Sequence, residues 1–165
     1  MIRKLQVFIS STYSDLKEER QAAVEAILKA GHIPAGMELF TAGNKSQMAT
    51  IERWIDESDV FMLILGGRYG SIEPTTGLSY VELEYDYAVA HDKPTFAVVI
   101  TEAAIEARVK SAGTAVTEKE NPKLLAQFRE KVLKNISSFF GDPKDIKLCA
   151  YESMSDYAAD PNLKG

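Results

Sequence analysis

The residues Val60-Phe61-Met62-Leu63-Ile64-Leu65 form an unbroken apolar run between Ser58-Asp59 and Gly66-Gly67. A bilayer span needs about 20 apolar residues, so this run is far too short for one. Its lack of alternation marks a strand covered on both faces rather than one with a wet side. Such strands belong to parallel sheets, whose crossover helices pack over both surfaces, so the rest of the chain must supply strands alternating with helices. With 165 residues, 45% hydrophobic and 26% charged, there is enough chain for one sizeable core. The expectation is a single α/β domain over residues 1–165.

The remaining pattern fits. Lys4–Ile9 alternates and then turns apolar, as a strand entering a buried sheet does. Thr12-Tyr13-Ser14-Asp15 matches a capping box, Leu16, Val24, Ile27 and Leu28 make a helical stripe, and Gly31 can end that helix. His32–Phe40 reads as a weaker strand interrupted by Pro34 and Gly36, and Met48, Ile51, Trp54 and Ile55 carry a helix to Asp56. Beyond the Gly66–Ser71 loop, Ser79-Tyr80-Val81-Glu82 is a second capping box, opening a helix to about His91. Pro94–Ile100 is a strand. Thr101–Asn121 mixes helical Ala103–Val109 with connector residues, and Leu124, Leu125, Phe128, Val132 and Leu133 mark another helix. Ile136–Phe140 is a short apolar piece, after which Asp142-Pro143 starts a helix to about Tyr157. The expected architecture is flavodoxin-like: four to five parallel strands in the order 2-1-3-4-5, with helices on both faces. Ligands of such sheets bind where the strand order reverses, beyond the carboxyl ends of strands 1 and 3. That rule selects Ser10–Tyr13 and Gly66–Ser71 as the walls of a crevice.

Composition and failed motifs narrow the chemistry. Nineteen Lys and Arg against 24 Asp and Glu leave a net charge of −5, which is not the footprint of a general nucleic-acid or anionic-membrane binder. Met1–Ser11 has no uninterrupted signal-type apolar stretch, and the single cysteine, Cys149, cannot form an internal disulfide; both fit a cytoplasmic chain, in which the sequons at Asn44 and Asn135 carry no meaning. Gly43-Asn44-Lys45-Ser46 lacks the leading glycine of a phosphate loop, and Gly66-Gly67-Arg68-Tyr69-Gly70 is not a dinucleotide fingerprint. His32 and His91 lie far apart with no cluster for a metal, and Cys149 shares a helix face with Ile146, which suits packing better than nucleophilic work.

The polar content of the crevice remains. Glu82 stands three residues after Ser79, where its carboxylate can accept from the Ser79 N–H as half of a capping box. Glu84 has no such duty. It falls beside Val81 and Ala88 on the wheel, next to the stripe holding Tyr85, so its carboxylate should be buried and must be paired or functional. An ion pair with Arg68 or a lysine is the structural reading; catalysis or ligand holding is the functional one. Arg68 could grip a phosphate or carboxylate, or pair with Glu82, Glu84 or Glu73. Ser10, Ser11 and Thr12 offer hydroxyls and helix-terminal N–H groups to an anion, or simply a cap. Tyr13, Tyr69 and Tyr80 could stack on a base, or wall the core with their hydroxyls in water.

The joint pattern of Val7-Phe8-Ile9-Ser10-Ser11-Thr12-Tyr13, Asp15-Leu16, Glu19-Arg20, Gly36-Met37-Glu38, Ser58-Asp59, Gly66–Ser71 and Ser79-Tyr80-x-Glu82-x-Glu84-Tyr85-x-x-Ala88 closely resembles a bacterial family of unknown function. That family is often met as the N-terminal module of larger proteins and is similar to TIR domains; the resemblance runs from about Leu5 to about Tyr157. Val7–Ser10 resembles the first strand of TIR domains, Ile55–Asp59 the helix end before their third strand, and Glu84-Tyr85-x-x-Ala88 the stretch holding their catalytic glutamate. Their Trp-Cys pair is absent, with Val81-Glu82 nearby. Glu84–Ala88 with Lys93-Pro94 also resembles nucleoside deoxyribosyltransferases. The resemblance implies a nucleotide substrate, NAD or a relative, cleaved at its nicotinamide–ribose bond without metal or added cofactor. Glu84 would be catalytic, Ser10, Ser11 and Thr12 would hold ribose or phosphate, Arg68 the pyrophosphate, and Tyr69 or Tyr80 a ring, with Glu82 beside them. Self-association into a homo-oligomer, without chemistry, is the alternative such a module presents.

Overall fold

A computed structural model describes residues 3–36, 45–114, 117–163 and 165, with the backbone alone for 45–47. Eleven elements follow in chain order: β1 (Gln6–Ser10), α1 (Lys17–Lys29), β2 (Ile33–Gly36), α2 (Lys45–Glu57), β3 (Val60–Leu65), α3 (Tyr80–Ala90), β4 (Thr95–Ile100), α4 (Glu102–Ala112), α5 (Pro122–Leu133), β5 (Ser137–Phe140) and α6 (Pro143–Ala158). The five strands form one sheet in the order β2-β1-β3-β4-β5, and every pairing is parallel. Val7 lies opposite Val60 and Ser10 opposite Leu63, so β1 and β3 are adjacent, with β3 running on to Leu65 beyond the end of β1.

The apolar run at 60–65 now has its explanation. Along β3 the side chains alternate between two cores, which a strand of period two feeds on both faces at once. Val60, Met62 and Ile64 join Val7, Ile9, Phe96 and Val98 under Ala22, Ala23, Ala26 and Ile27 of α1, Ala104 of α4, and Ile146, Ala150 and Met154 of α6. Phe61, Leu63 and Leu65 join Phe8, Ala97 and Val99 under Ile51 and Ile55 of α2, Val81, Tyr85 and Ala88 of α3, and Phe128 and Val132 of α5. Three helices therefore cover each face. In the second core Phe8 stacks on Phe61 at 5.7 Å between centroids, and Tyr85 meets Phe128 edge-on at 5.7 Å, arrangements that suit the ring quadrupole.

Three helix starts follow their side-chain caps. Ser79 Oγ accepts from the Glu82 N–H at 3.1 Å, Thr101 Oγ1 from Ala104 at 3.1 Å and Asp142 Oδ1 from Asp145 at 3.1 Å. The Thr101 cap resolves the ambiguous segment as a helix, ended by Gly113 at φ +83°. Gly31, at φ +90°, follows the end of α1 as expected. Two expectations need correction. Thr12 does not cap α1, because its Oγ1 donates to Asp15 Oδ1 at 2.5 Å and the chain makes one turn, Leu16 N–H to Tyr13 O, before the helix starts at Lys17. Leu28, placed on the buried stripe, is exposed, since the stripe runs through Ala23, Ala26 and Ile27 instead. The expected strand after Gly36, with Met37 and Glu38, lies outside the described residues, as do Gly43 and Asn44 of the Gly43–Ser46 stretch. Among those described, no helix is long and apolar enough to cross a membrane.

Candidate active site at the strand-order reversal

The chain leaves β1 toward β2 on one side and returns to β3 on the other, so α1 and α3, which follow β1 and β3, pack on opposite faces of the sheet. Ser10 ends β1 and is fully buried; its Oγ donates to Glu84 Oε1 at 3.4 Å, a long contact. Ser11 is also buried, with its Oγ donating to Thr12 O at 2.7 Å and accepting from Arg20 Nη1 at 2.8 Å. Arg20 comes from α1 and is 5% exposed. Its Nη1 also reaches Ile9 O at 3.5 Å, so the guanidinium closes the carboxyl end of β1.

Glu84, one turn into α3, is 0% exposed, and its Oε2 has no hydrogen-bond partner. Burial pushes its carboxyl up to about 8, against the opposing pull of the Arg20 charge and the Ser10 hydroxyl. The expected salt bridge to Arg68 or a lysine is not made. The nearby positive charge is Arg20, a residue the sequence reading passed over, although its place at i+4 from Leu16 and i−3 from Ala23 puts a cation within the apolar stripe of α1. That misplacement of charge was the available signal.

Glu82 also departs from expectation. Its backbone N–H is capped by Ser79, but its carboxylate does not return to the Ser79 N–H. Instead Oε1 accepts from the Tyr69 hydroxyl at 2.5 Å and Oε2 pairs with the Lys131 ammonium of α5, which also holds Asp86 at 2.8 Å. Burial and Glu82 push the Tyr69 phenol pKa up, while the backbone and hydroxyl of Ser79 pull it down. Burial disfavours the Lys131 ammonium, yet the carboxylates of Asp86 and Glu82 outweigh this and raise its pKa. Tyr69 is fully buried, its ring edge-on to Phe128 at 6.2 Å, so it walls the core, but with its hydroxyl on Glu82 rather than in water. Its backbone N–H donates to Glu118 Oε1 at 2.8 Å, which ties the loop after β3 to the segment entering α5.

Arg68 is half-buried at the end of β3, as its strand dictates, and donates to Ser14 Oγ at 3.3 Å rather than to Glu82, Glu84 or Glu73. Glu73 is occupied by the N–H groups of Thr75 and Thr76, which hold its carboxyl down at about 2. Thr12 is half-buried, Tyr80 is half-buried with its N–H on Ser71 O, and Tyr13 is exposed under the Lys17 ammonium. Ser10, Ser11, Arg20 and Glu84 thus form one buried polar cluster at the reversal point, and the Arg68–Ser14 contact lies on the exposed side of the loops. Glycines let the two loops meet: Gly70 has φ +97°, and a Cβ there would lie 3.0 Å from Thr12 Cγ2. The histidines stand elsewhere. His32 Nδ1 accepts from the Leu5 N–H at 3.1 Å, and the exposed His91 stacks on Tyr87.

A five-stranded parallel sheet in the order 2-1-3-4-5, wrapped by three helices on each face and carrying a cluster of buried polar side chains at its reversal point, defines a flavodoxin-like α/β protein. The chain belongs to the family described as domain of unknown function DUF4062, whose model matches residues 6–155. Two solved structures are similar to it over most of their lengths. One is a diflavin flavoprotein A3 from Nostoc sp., with 14% identity, a TM-score of 0.45 and coverage of 96% of this chain and 92% of that one. The other is an NAD(P)H:quinone oxidoreductase from Methanothermobacter marburgensis, with 12% identity, a TM-score of 0.41 and coverage of 91% and 97%. Among curated proteins, none matches this chain. The fold assignment rests on the chain's own strand order.

Proposed function

We propose that this chain is a TIR-like domain that binds NAD or a related nucleotide and cleaves its nicotinamide–ribose bond, acting in the cytoplasm in bacterial signalling or anti-phage defence. The observation that carries the reading is Glu84: a carboxyl buried at the reversal point, with one long hydrogen bond and one oxygen unpartnered. A buried, underpaired carboxyl costs stability, and such expense concentrates where a protein needs chemistry. Breaking a C–N glycosidic bond builds positive charge on the ribose, and a carboxylate beside it stabilises or traps that charge. The Ser10 hydroxyl orients the Glu84 carboxyl, Arg20 fixes Ser11 and the end of β1, and Arg68 at the rim suits a pyrophosphate. Glu84 is enclosed in this conformation, so substrate reaches it only when the covering side chains part.

That same enclosure favours a second reading, a non-enzymatic module that docks a partner or a second copy of itself, with Glu84 a structural group. Incubation of the purified chain with NAD decides between them. Release of nicotinamide that is lost in Glu84→Gln supports the enzyme; no release at any pH from 6 to 9 ends that reading. Release of free base from nucleosides, with NAD untouched, would point to the deoxyribosyltransferase relatives instead.

A further inference from the structure

We propose that the enclosed Glu84 carboxyl keeps its proton in the unliganded protein and gives it up when a ligand with a fixed positive charge beside its ribose, an N-ribosylpyridinium, binds. This rests on the reading of the crevice as a nucleotide site and adds to it a rule for substrate choice.

The geometry sets the resting state. Glu84 is 0% exposed, its Oε2 has no partner, and the Ser10 hydroxyl at 3.4 Å is its hydrogen bond. The charge acting on it from α1, across the carboxyl end of the sheet, is Arg20, whose Nη1 is engaged by Ser11 Oγ and Ile9 O. On its own helix, Glu82 is turned to Tyr69 and Lys131, and Asp86 to Lys131. Burial without enough donors leaves the neutral acid as the cheaper form, with the carboxyl pushed up to about 8. At pH 7 that corresponds to roughly ten protonated molecules for each ionised one.

A cation brought within about 4–6 Å lowers a carboxyl pKa by about 1–3, which carries Glu84 through neutrality. The step balances simply: the carboxylic acid and the cationic ligand become a carboxylate paired with that ligand, and one proton passes to solvent. The ionised form is the one that can stabilise an oxocarbenium ion. A ligand with a neutral base attached to its ribose leaves Glu84 protonated and so meets the wrong form of the group. Specificity for a cationic leaving group is thereby set by where the carboxyl is buried.

Isothermal titration calorimetry at pH 7, in phosphate and in Tris, reads proton release directly from the difference in apparent enthalpy. The probes are carba-NAD, which carries the pyridinium but resists cleavage, and NADH, whose dihydropyridine is neutral. The expected result is release of between about 0.4 and about 0.9 proton per carba-NAD bound, none with NADH, and none with either in Glu84→Gln. On the unaltered protein, carba-NAD affinity should rise up to tenfold per pH unit between pH 6 and 8 while NADH affinity stays flat, a readout that does not depend on the variant folding. Equal enthalpies in both buffers, a flat carba-NAD profile, or no binding at millimolar probe would overturn the proposal. Proton release with no nicotinamide formed from NAD would uphold it and sink the cleavage reading; nicotinamide formed without proton release would do the reverse.

Discussion

The Tyr69 hydroxyl and the Glu82 carboxylate form the most consequential polar contact outside the crevice, and removing either end has a calculable effect. Both groups are buried, at 0% and 6% exposure, and the bond is 2.5 Å long. A hydrogen bond to a charged acceptor contributes about 1.5–3 kcal/mol, so Tyr69→Phe should lose about that much. The Lys131 pair adds little, because the lysine side chain is 40% exposed and keeps Asp86. Glu82→Ala leaves the Tyr69 donor stranded in the core and should cost about 2–4 kcal/mol, more than the roughly 1 kcal/mol of a capping group. The backbone N–H that Ser79 caps survives that substitution. Urea unfolding of wild type, both single variants and the double variant, followed by far-ultraviolet circular dichroism, gives the coupling, expected to be at least about 1.5 kcal/mol. Coupling below about 0.5 kcal/mol would refute the claim that Glu82 serves Tyr69 rather than the helix start.

Glu84 predicts the opposite sign from an ordinary salt-bridged carboxylate. Its folded value of about 8 lies above the reference 4.5, so between those pH values the folded state holds a proton that the unfolded chain has lost, and stability falls as pH rises through the window, levelling beyond it. Glu84→Gln lacks that dependence; its stability relative to wild type should climb by a few kcal/mol from pH 5 to pH 8, and a difference that stays constant in urea titrations at the two pH values would show that Glu84 holds no such proton. Gly70→Ala combines a φ of +97° with a Cβ 3.0 Å from Thr12 Cγ2 and should lose about 1–3 kcal/mol; a gain in thermal midpoint would mean that the two loops are not in contact there.

What the sequence made legible follows from the range of the interactions. The strand Val60–Leu65 and the starts at Ser79 and Asp142 are set by neighbours within a few positions, and they stand close to where the pattern placed them. Glu82 was misassigned because its partner Lys131 lies 49 positions away and a local rule already offered it a role. Thr12 misled in the same way, its hydroxyl taken by the Asp15 side chain instead of a helix N–H. The burial of Glu84 could be read from its wheel position, and the stripe of α1 marks Arg20 as a buried cation, but not that the two act on each other, which follows only once α1 has packed against the sheet.

Glu19 and Arg20 are consecutive buried charges on α1 that point to different places, Glu19 to Arg108 of α4 and Arg20 to the end of β1. Neighbours on a helix are about 100° apart, so the two contacts act as a pair of stops. Turning α1 about its axis in either direction breaks one of them, and sliding it along its axis breaks both. The helix is thereby pinned in rotation as well as in position, even though its first turn carries no side-chain cap. With α1 held in this way, an opening that admits a ligand to Glu84 falls to the segments after β1 and β3, of which the one from Gly66 to Ser79 is the longer.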